Sequence, residues 1–141
     1  NVEYRQGTVE EVPDSEAGSY DVVTCLEVLE HVPDPAATIA RCAELLRPGG
    51  YLFVATLNRT LRSYAFAIVG AEYVLGMLPR GTHDWDRFIR PSEMAAHLRH
   101  AGLVPAEFSG MTYNPLARTF RLSRDVSVNY LGQARKPEGA A

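Results

Sequence analysis

Two stretches decide the fold: YDVVTCLEVLEHVPDP at residues 20–35 and LRPGGYLFVAT at residues 46–56. Residues 21–26 and 51–56 are almost uninterruptedly apolar and β-branched, which is typical of strands covered on both faces, as in a parallel sheet. Between them, Asp34 is a candidate N-cap with Pro35 at the first helical position. Apolar residues then recur at helical spacing, at Ile39, Cys42, Ala43 and Leu46, until Pro48-Gly49-Gly50 ends the helix. The pattern predicts a β-α-β unit and an α/β fold.

Shorter elements are predicted on both sides of this unit. Residues 2–5 are a candidate strand, and Ser92 is a candidate N-cap for a helix over residues 93–101. Three further strands are predicted, with short turns between them that favour an antiparallel C-terminal hairpin. They cover residues 103–111, 119–122 and 126–131. We expect residues 133–141 to form a flexible tail.

Composition argues against several classes of protein. With 14 basic and 17 acidic residues, the 141-residue chain has a formal net charge of -3, so it lacks the excess positive charge of a nucleic-acid-binding protein, and no nucleic-acid partner is expected. Its two cysteines fall in elements predicted to be buried, which favours a reducing, cytoplasmic location over a disulfide framework. No secretory signal is visible, and the first residue is Asn1 rather than Met, so we expect a fragment.

The acidic, His-bearing turn after the first apolar run, followed by the Leu-Arg-Pro-Gly-Gly junction, resembles the paired signature of the Rossmann-like, class I S-adenosylmethionine-dependent methyltransferases. Further segments narrow the resemblance to the ubiquinone-biosynthesis O-methyltransferases. These segments are residues 70–73, 79–85, 88–93, 110–115 and 126–130. The combination covers nearly all of residues 3–131, and it is more specific than any one motif.

The resemblance implies a class I methyltransferase fold represented by its C-terminal part. Residues 1–132 are expected to belong to the methyltransferase domain, with residues 59–90 as an insertion on the substrate or membrane side. In this family a Gly-rich loop after the first strand holds the methionine and ribose ends of the cofactor. No Gly-x-Gly occurs in the chain, so we expect the N-terminal strands and this loop to be missing.

The resemblance also implies S-adenosylmethionine as the cofactor. Ligands of open α/β sheets bind outside the carboxyl ends of the strands. By resemblance, Thr8 and Val9 contact the adenine edge of the cofactor, and Leu26 contacts its adenine or methionine part. The alternative is an ordinary loop and a core leucine.

Glu27, Glu30 and His31 are separated by three and four positions, so they share one face if the turn is helical. A phenolic acceptor titrates near pH ~10, and it therefore benefits from a general base or a metal ion. Glu30 and His31 are candidate catalytic residues, with His31 as the base. Alternatively, Glu27, Glu30 and His31 hold a divalent ion such as Mg²⁺, which prefers oxygen ligands. A purely structural turn, in which Glu30 caps and His31 packs beside it, is the remaining alternative.

His83, in a Gly-rich turn, is a second candidate base, although an ordinary surface histidine is an equally good interpretation.

Residues 63–78 form an apolar stretch that is too short to span a bilayer. If the stretch is a helix, one of its faces could enter an anionic membrane surface. Arg59, Arg62 and Arg80 flank this stretch, and basic residues strengthen such binding.

We expect an O-methyltransferase that acts on the hydroxyl of polyprenyl-hydroxyphenol and demethylubiquinol intermediates of ubiquinone biosynthesis. Its expected location is cytoplasmic, peripheral at the inner face of the membrane. Two alternatives stay open: a class I methyltransferase for another small hydroxylated acceptor, and a non-catalytic docking module of a ubiquinone-biosynthesis complex. A nicotinamide dehydrogenase shares the fold class, but the Glu-His turn favours methyl transfer by analogy.

Overall fold

A computed structural model describes residues 2–65, 84–114 and 117–139 of the chain. Its central sheet has the strand order β1-β2-β6-β3, and a separate two-stranded sheet pairs β4 with β5. The strands are β1 Tyr20–Leu26, β2 Leu46–Leu57, β3 Val104–Pro105, β4 Gly110–Asn114, β5 Thr119–Ser123 and β6 Asn129–Arg135. Strands β1 and β2 run parallel, whereas β6 runs antiparallel to both β2 and β3. The predicted α/β class, the β-α-β unit and the antiparallel C-terminal hairpin are confirmed.

Helix α1, Pro35–Leu45, crosses between the two parallel strands and begins as predicted. The Asp34 carboxylate accepts hydrogen bonds from the backbone N–H groups of Ala36 at 3.0 Å and Ala37 at 3.1 Å. These bonds satisfy donors that the first helical turn leaves unpaired. Asp34 therefore sets where the chain turns back after the end of β1.

Two further helices follow, the short α2, Leu61–Ser63, and α3, Pro91–His100. The predicted N-cap of α3 at Ser92 is wrong. Pro91 takes the first helical position, where its missing N–H costs nothing. Arg90 is therefore the N-cap, and its backbone N–H donates to the Glu93 carboxylate at 2.9 Å.

The core lies on one face of the central sheet. Leu52 and Val54 of β2 are buried there together with Ile39 of α1 and Leu98 of α3. The opposite sheet face exposes large apolar side chains, at Tyr20, Val22, Leu26, Tyr51 and Phe53. Because successive side chains along a strand point to opposite faces of the sheet, Leu52 and Val54 lie on the core face while Tyr51 and Phe53 lie on the other. The described core is thus built by α1 and α3 against one face.

The junction between α1 and β2 contains a bulge. Tyr20 pairs with Leu46, but Val22 already pairs with Tyr51, so the residues between Leu46 and Tyr51 protrude from the ladder. Gly49 has a φ of 79°, a left-handed conformation that glycine adopts readily. Helix α1 therefore ends before the predicted stop: Leu46, predicted to be helical, already belongs to β2, and Pro48-Gly49-Gly50 lies in the first part of that strand.

Other predicted boundaries are wrong. Residues 2–5 form no strand, and Arg5 instead pairs with Glu3 and Glu16. The predicted strand over residues 103–111 is two short strands, β3 and β4, and the predicted strand at 126–131 starts only at Asn129.

The flexible tail cannot begin at residue 133. Strand β6 continues to Arg135 because Ala134 pairs with Leu52 and Arg135 pairs with Tyr51. Lys136 is then anchored by its Nζ, which donates to the carbonyls of Ala43 at 2.8 Å and Leu46 at 2.7 Å. The ordered chain therefore extends at least through residue 136.

Within the three described ranges, no helix has the length and apolar character needed to cross a bilayer. Most of the apolar stretch at residues 63–78 lies outside these ranges, and so does His83.

Candidate active site

The site lies where β1 and β2 end side by side. Glu27 follows β1 with a φ of 55°, which is uncommon for a residue other than glycine and turns the chain sharply away from the sheet. Its N–H donates to the carbonyl of Ala55 at 2.9 Å, and the N–H of His31 donates to the carbonyl of Val28 at 2.9 Å. The segment is a hydrogen-bonded turn and not a helix, so the predicted helical face is not formed.

Glu30 is held inside the protein at the base of this turn. Only 3% of its surface is exposed. Its Oε2 accepts a hydrogen bond of 2.7 Å from the Thr56 hydroxyl at the end of β2. Its other oxygen, Oε1, is buried and has no hydrogen-bond partner among the described residues. A buried carboxylate oxygen of this kind calls for a proton, a cation or a ligand donor.

Glu27 lies close enough to Glu30 for the Glu30 charge to raise the pKa of Glu27. Desolvation by the surrounding chain and the negative charge of the nearby Glu30 carboxylate raise the pKa of Glu27 to about 7. Two neighbouring carboxylates repel each other, and a proton on one of them relieves this repulsion. The pair can therefore hold one proton near neutral pH.

His31 is exposed on the outside of the turn. Among the residues that the structure describes, no three His, Cys, Asp or Glu side chains are placed to hold one metal ion. Glu27, Glu30 and His31 thus do not converge as the predicted ligand set. Of the three side chains, Glu27 and Glu30 are the two whose charges interact strongly enough to raise the pKa of Glu27.

A cavity of about 700 Å³ lies beside β1, a size in the range of small-ligand pockets. Thr8 and Val9, the residues predicted to contact adenine, line it together with Val28 of the turn after β1, Ala37 of α1 and other residues of these elements. Leu26 is 49% exposed and does not line this cavity. It points to the opposite sheet face from Cys25, because neighbouring strand residues alternate. The mainly apolar lining and the size suit a flat, adenine-like group.

A hydrogen bond that the sequence did not reveal fixes the wall of this cavity. The Thr38 hydroxyl of α1 donates to Glu10 Oε1 at 2.8 Å and holds the pKa of the Glu10 carboxyl below its usual value. Glu10 belongs to a 3₁₀ turn, Val9–Glu11, that directly follows Thr8. The turn with the predicted cofactor contacts is therefore tied to the crossover helix.

A second cavity of about 580 Å³ lies on the other side of the turn, and Val32 and Pro33 line both cavities. Its wall includes an ion pair between Arg59 and Glu93, with Arg59 also donating to the carbonyl of Asp86 at 3.1 Å. The turn after β1 thus lies between the two cavities.

Thr56 and Asn58 are site residues that sequence reasoning missed. Asn58 is 6% exposed, and its Nδ2 donates to the carbonyl of Val126 at 2.8 Å. Its buried Oδ1 has no hydrogen-bond partner among the described residues. The only available signal was their position at the carboxyl end of a predicted parallel strand, where ligands bind.

Comparison with known proteins agrees with this architecture. The sequence model of a family described as a methyltransferase domain matches residues 2–107. The ubiquinone biosynthesis O-methyltransferase of Marinobacter nauticus is 64% identical over 136 residues, and the match covers 95% of this chain and 57% of that protein. The protein of the same name from Hahella chejuensis is 60% identical, with coverage of 97% and 58%. The chain therefore spans somewhat more than half the length of these relatives.

The fold also resembles a solved structure. A S-adenosylmethionine-dependent methyltransferase from Thermotoga maritima, described as a possible histamine N-methyltransferase, aligns with a TM-score of 0.63 and 19% identity. The alignment covers 92% of this chain and 62% of that one. The architecture is thus that of class I methyltransferases, as the sequence predicted. With the matched domain covering residues 2–107, the chain belongs to the methyltransferase domain family.

Proposed function

We propose that the protein is an S-adenosylmethionine-dependent O-methyltransferase that acts on the hydroxyl of polyprenyl-hydroxyphenol and demethylubiquinol intermediates. The observation that carries this proposal is the buried Glu30, with one oxygen held by Thr56 and the other without a partner, at the edge of the sheet where ligands bind. The choice of acceptor is supported by the high identity to proteins named ubiquinone biosynthesis O-methyltransferases.

The cofactor fits the cavity beside β1. Thr8 and Val9, which line the cavity, contact its adenine edge, and the Glu10–Thr38 hydrogen bond keeps this wall in place. When bound, S-adenosylmethionine supplies a methyl group on a sulfonium that is already a good leaving group. The protein therefore contributes mainly by aligning the acceptor oxygen, which can supply a large part of the rate enhancement.

Methyl transfer also requires that the proton of the acceptor hydroxyl be removed. The Glu27–Glu30 pair accepts this proton, because a carboxyl group with a pKa of about 7 is suited to act as a base near neutral pH. His31, on the exposed side of the same turn, passes the proton to solvent. His83 lies outside the described residues and stays a second candidate base.

In an alternative version of this site, Mg²⁺ assists the two carboxyl groups. Glu27 and Glu30 would supply two oxygen ligands of the type that Mg²⁺ prefers. A bound cation would lower the pKa of a catechol-type hydroxyl. Chelation followed by Mg²⁺ addition distinguishes the metal mechanism from the general-base mechanism. Only under the metal mechanism should the enzyme lose turnover with the chelator and regain it with Mg²⁺.

A prenylated acceptor resides in a bilayer, so we place the protein in the cytoplasm, at the anionic inner face of the membrane, within reach of a ubiquinone-biosynthesis complex. Arg62 is exposed and lies next to the segment at residues 66–83, although it also pairs with Asp125 at 3.0 Å. Sedimentation with anionic vesicles tests the placement: Arg62→Glu should weaken binding, and unchanged binding counts against it.

The decisive experiment measures turnover and cofactor affinity separately, in a protein of the full length of the relatives. Glu30→Gln should lower turnover about 10²- to 10⁴-fold, the usual effect of losing a general base, while affinity for S-adenosylhomocysteine stays within a few fold. Glu107→Gln, a change at an exposed carboxyl after β3, is the matched control and should leave both unchanged. If Glu30→Gln keeps turnover, the assignment is wrong. Activity on short phenols but not on prenylated ones would instead indicate a methyltransferase for another acceptor.

A further inference from the structure

The antiparallel hairpin of β4 and β5 protrudes from the central sheet, since every described residue from Met111 to Leu122 is exposed. Its base is anchored to β6. Ser109 and Leu131 exchange backbone hydrogen bonds of 2.9 and 2.7 Å. The N–H of Met111 donates to Asn129 Oδ1 at 2.9 Å. Beyond this base, β4 and β5 form a separate two-stranded sheet, a structure that is only marginally stable when it stands alone in water.

The two faces of the hairpin differ in character. Its ladder pairs Met111 with Leu122 and Tyr113 with Phe120. Because successive side chains of a strand point to opposite faces, these four share one face, which we call the apolar hairpin face. They are between 36% and 69% exposed, and the rings of Tyr113 and Phe120 lie with their centroids 4.7 Å apart. The strand positions between them are polar or glycine. Large apolar side chains that stay exposed together mark an interaction surface.

The charge of the hairpin is of one sign. Three of the chain's 14 basic residues and none of its 17 acidic ones fall in residues 110–124. Arg118 precedes β5, Arg121 lies within it and Arg124 follows it, and all three are exposed. The next acidic residue, Asp125, already pairs with Arg62 at 3.0 Å. Because the whole chain has a net charge of -3, the positive charge is a local property of the hairpin.

We propose that the hairpin docks the protein on an anionic phospholipid bilayer, with the apolar hairpin face inserted among the lipids. Apolar side chains enter the boundary between headgroups and acyl chains, and basic residues beside them attract anionic lipids. Tyr113 has an apolar ring and a polar hydroxyl, which suits the level of the headgroups. The long side chains of Arg118, Arg121 and Arg124 reach the lipid phosphates while their stems lie along the apolar surface.

This docking surface rests on the membrane placement proposed above, but not on the chemistry assigned to Glu30. It also differs from the contact proposed for Arg62, which lies outside the hairpin. The lipid contact and the methyl-transfer reaction can therefore be tested separately in the same protein.

The first experiment is sedimentation with vesicles of phosphatidylglycerol and phosphatidylcholine, or of phosphatidylcholine alone, in a protein of the full length of the relatives. We expect binding to the anionic vesicles and much weaker binding to the neutral ones. The double variant Phe120→Ser/Leu122→Ser should bind the anionic vesicles at least about tenfold more weakly, because burying even one large apolar side chain contributes that much. Arg121→Gln and Arg124→Gln should each weaken binding about fivefold.

Two matched controls lie away from the hairpin. Val104→Ser removes an apolar side chain that is 61% exposed on β3, where it pairs with Arg135 at the far end of β6. Arg99→Gln removes an exposed positive charge in the last turn of α3. Both should bind vesicles as the parent does. If the double variant fails to fold by circular dichroism, Leu122→Ser alone keeps the ring pair and provides the same comparison.

The second experiment locates the inserted face. Phe120→Trp adds a second tryptophan to the single Trp85 of the chain, and phosphatidylglycerol vesicles with brominated acyl chains should quench the added fluorescence. Val104→Trp is the control and should show no such quenching. Quenching at position 104 but not at position 120 would overturn the proposal.

The outcomes separate the two levels of inference. If Arg62→Glu weakens vesicle binding while the hairpin variants keep it, the hairpin is the wrong surface and the membrane placement stands. If the parent binds neither kind of vesicle, both fail, and the apolar hairpin face is left for a protein partner with acidic groups. Equal binding to neutral and anionic vesicles would also overturn the proposal, because the three arginines would then contribute nothing. Turnover with a short, water-soluble phenol tests the chemistry alone, and the hairpin variants should keep it.

Discussion

The hydroxyl of Thr56 donates a 2.7 Å hydrogen bond to Glu30 Oε2, and both side chains are buried. This bond joins the end of β2 to the turn that follows β1. Its geometry depends on the parallel register, in which Leu26 pairs with Ala55 just before Thr56. The pairing of two strands thus places the carboxylate on which the proposed chemistry depends.

Replacing Thr56 by Val should destabilise the protein by about 1–3 kcal/mol, the cost of leaving a buried group without its hydrogen bond. The shape of the side chain is kept, so the loss reports on the bond to Glu30. Urea denaturation measures it. Thr119→Val, at an exposed position of β5, is the control and should stay within about 0.5 kcal/mol of the parent. Equal effects at both positions would mean that the bond contributes nothing.

The stability of the protein should depend on pH through Glu27. Its pKa is raised to about 7 in the folded protein, above the ~4.3 of an unfolded glutamate. Between these values the folded state binds more protons than the unfolded state, so the free energy of unfolding falls as pH rises, and the fall ends above the folded pKa. Because the side chain is still exposed, the effect is smaller than for a fully buried carboxyl.

Unfolding experiments across this pH range provide the test. Glu27→Gln should remove the decrease in the free energy of unfolding with pH. The difference in this free energy between the variant and the parent should therefore grow between pH ~4.3 and ~7. Glu107→Gln should keep the parent's slope. A Glu27→Gln difference that is constant over the whole range would contradict the raised pKa.

Gly132 should tolerate no side chain. A Cβ there would lie 2.3 Å from two carbons of the Phe108 ring, and that ring packs edge-on against Tyr130 with centroids 5.2 Å apart. Gly132→Ala should cost about 1–3 kcal/mol, as overpacking in a core typically does. The control is Gly139→Ala, since no heavy atom lies within 4 Å of the new Cβ. Equal stability of the two variants in urea denaturation would show that Phe108 moves aside freely.

Lys136 should contribute more to the free energy of unfolding than its charged neighbour Arg135. Its ammonium donates to the carbonyls of Ala43 and Leu46 at the end of α1, where a helix leaves carbonyls unpaired. Lys136→Met keeps most of the aliphatic stem and should cost about 1.5–3 kcal/mol, the value of hydrogen bonds to a charged group. Arg135→Met removes only an exposed ion pair with Glu138 and should cost at most about 1 kcal/mol. The reverse order in thermal or urea unfolding would contradict this account.

The strands β1 and β2 and the helix between them could be predicted from the sequence, because their signals are local. Apolar β-branched runs, the Asp34 cap followed by Pro35, and the Gly49 turn act within a few residues of the chain. The local patterns indicated an α/β fold, and the class I methyltransferase fold was predicted from the resemblance to that family. Weakly periodic segments were predicted less well: residues 2–5 form no strand, and the boundary after Leu131 was misplaced.

The roles predicted for the site residues stay predictions, but the structure shows where these residues lie. Thr8 and Val9 line the cavity beside β1, and Glu27 lies near enough to Glu30 for the Glu30 charge to raise the pKa of Glu27. Their spacing alone indicated a helical face shared with His31, whereas the left-handed conformation of Glu27 produces a different turn. Backbone dihedrals at one residue are not readable from the spacing of side chains.

The sequence alone determined the elements whose stabilising interactions are short-range: the parallel unit, its crossover helix, and the location of a ligand edge after β1 and β2. Only the tertiary structure decided the partners that act across distance. Thr56 donates to Glu30 from 26 residues away, Lys136 donates to Ala43 from 93 residues away, and Cys25 and Cys42 line the same cavity. These contacts depend on strand register and on how α1 packs against the sheet, and the free energy that selects them is shared by the whole core rather than held in any local pattern.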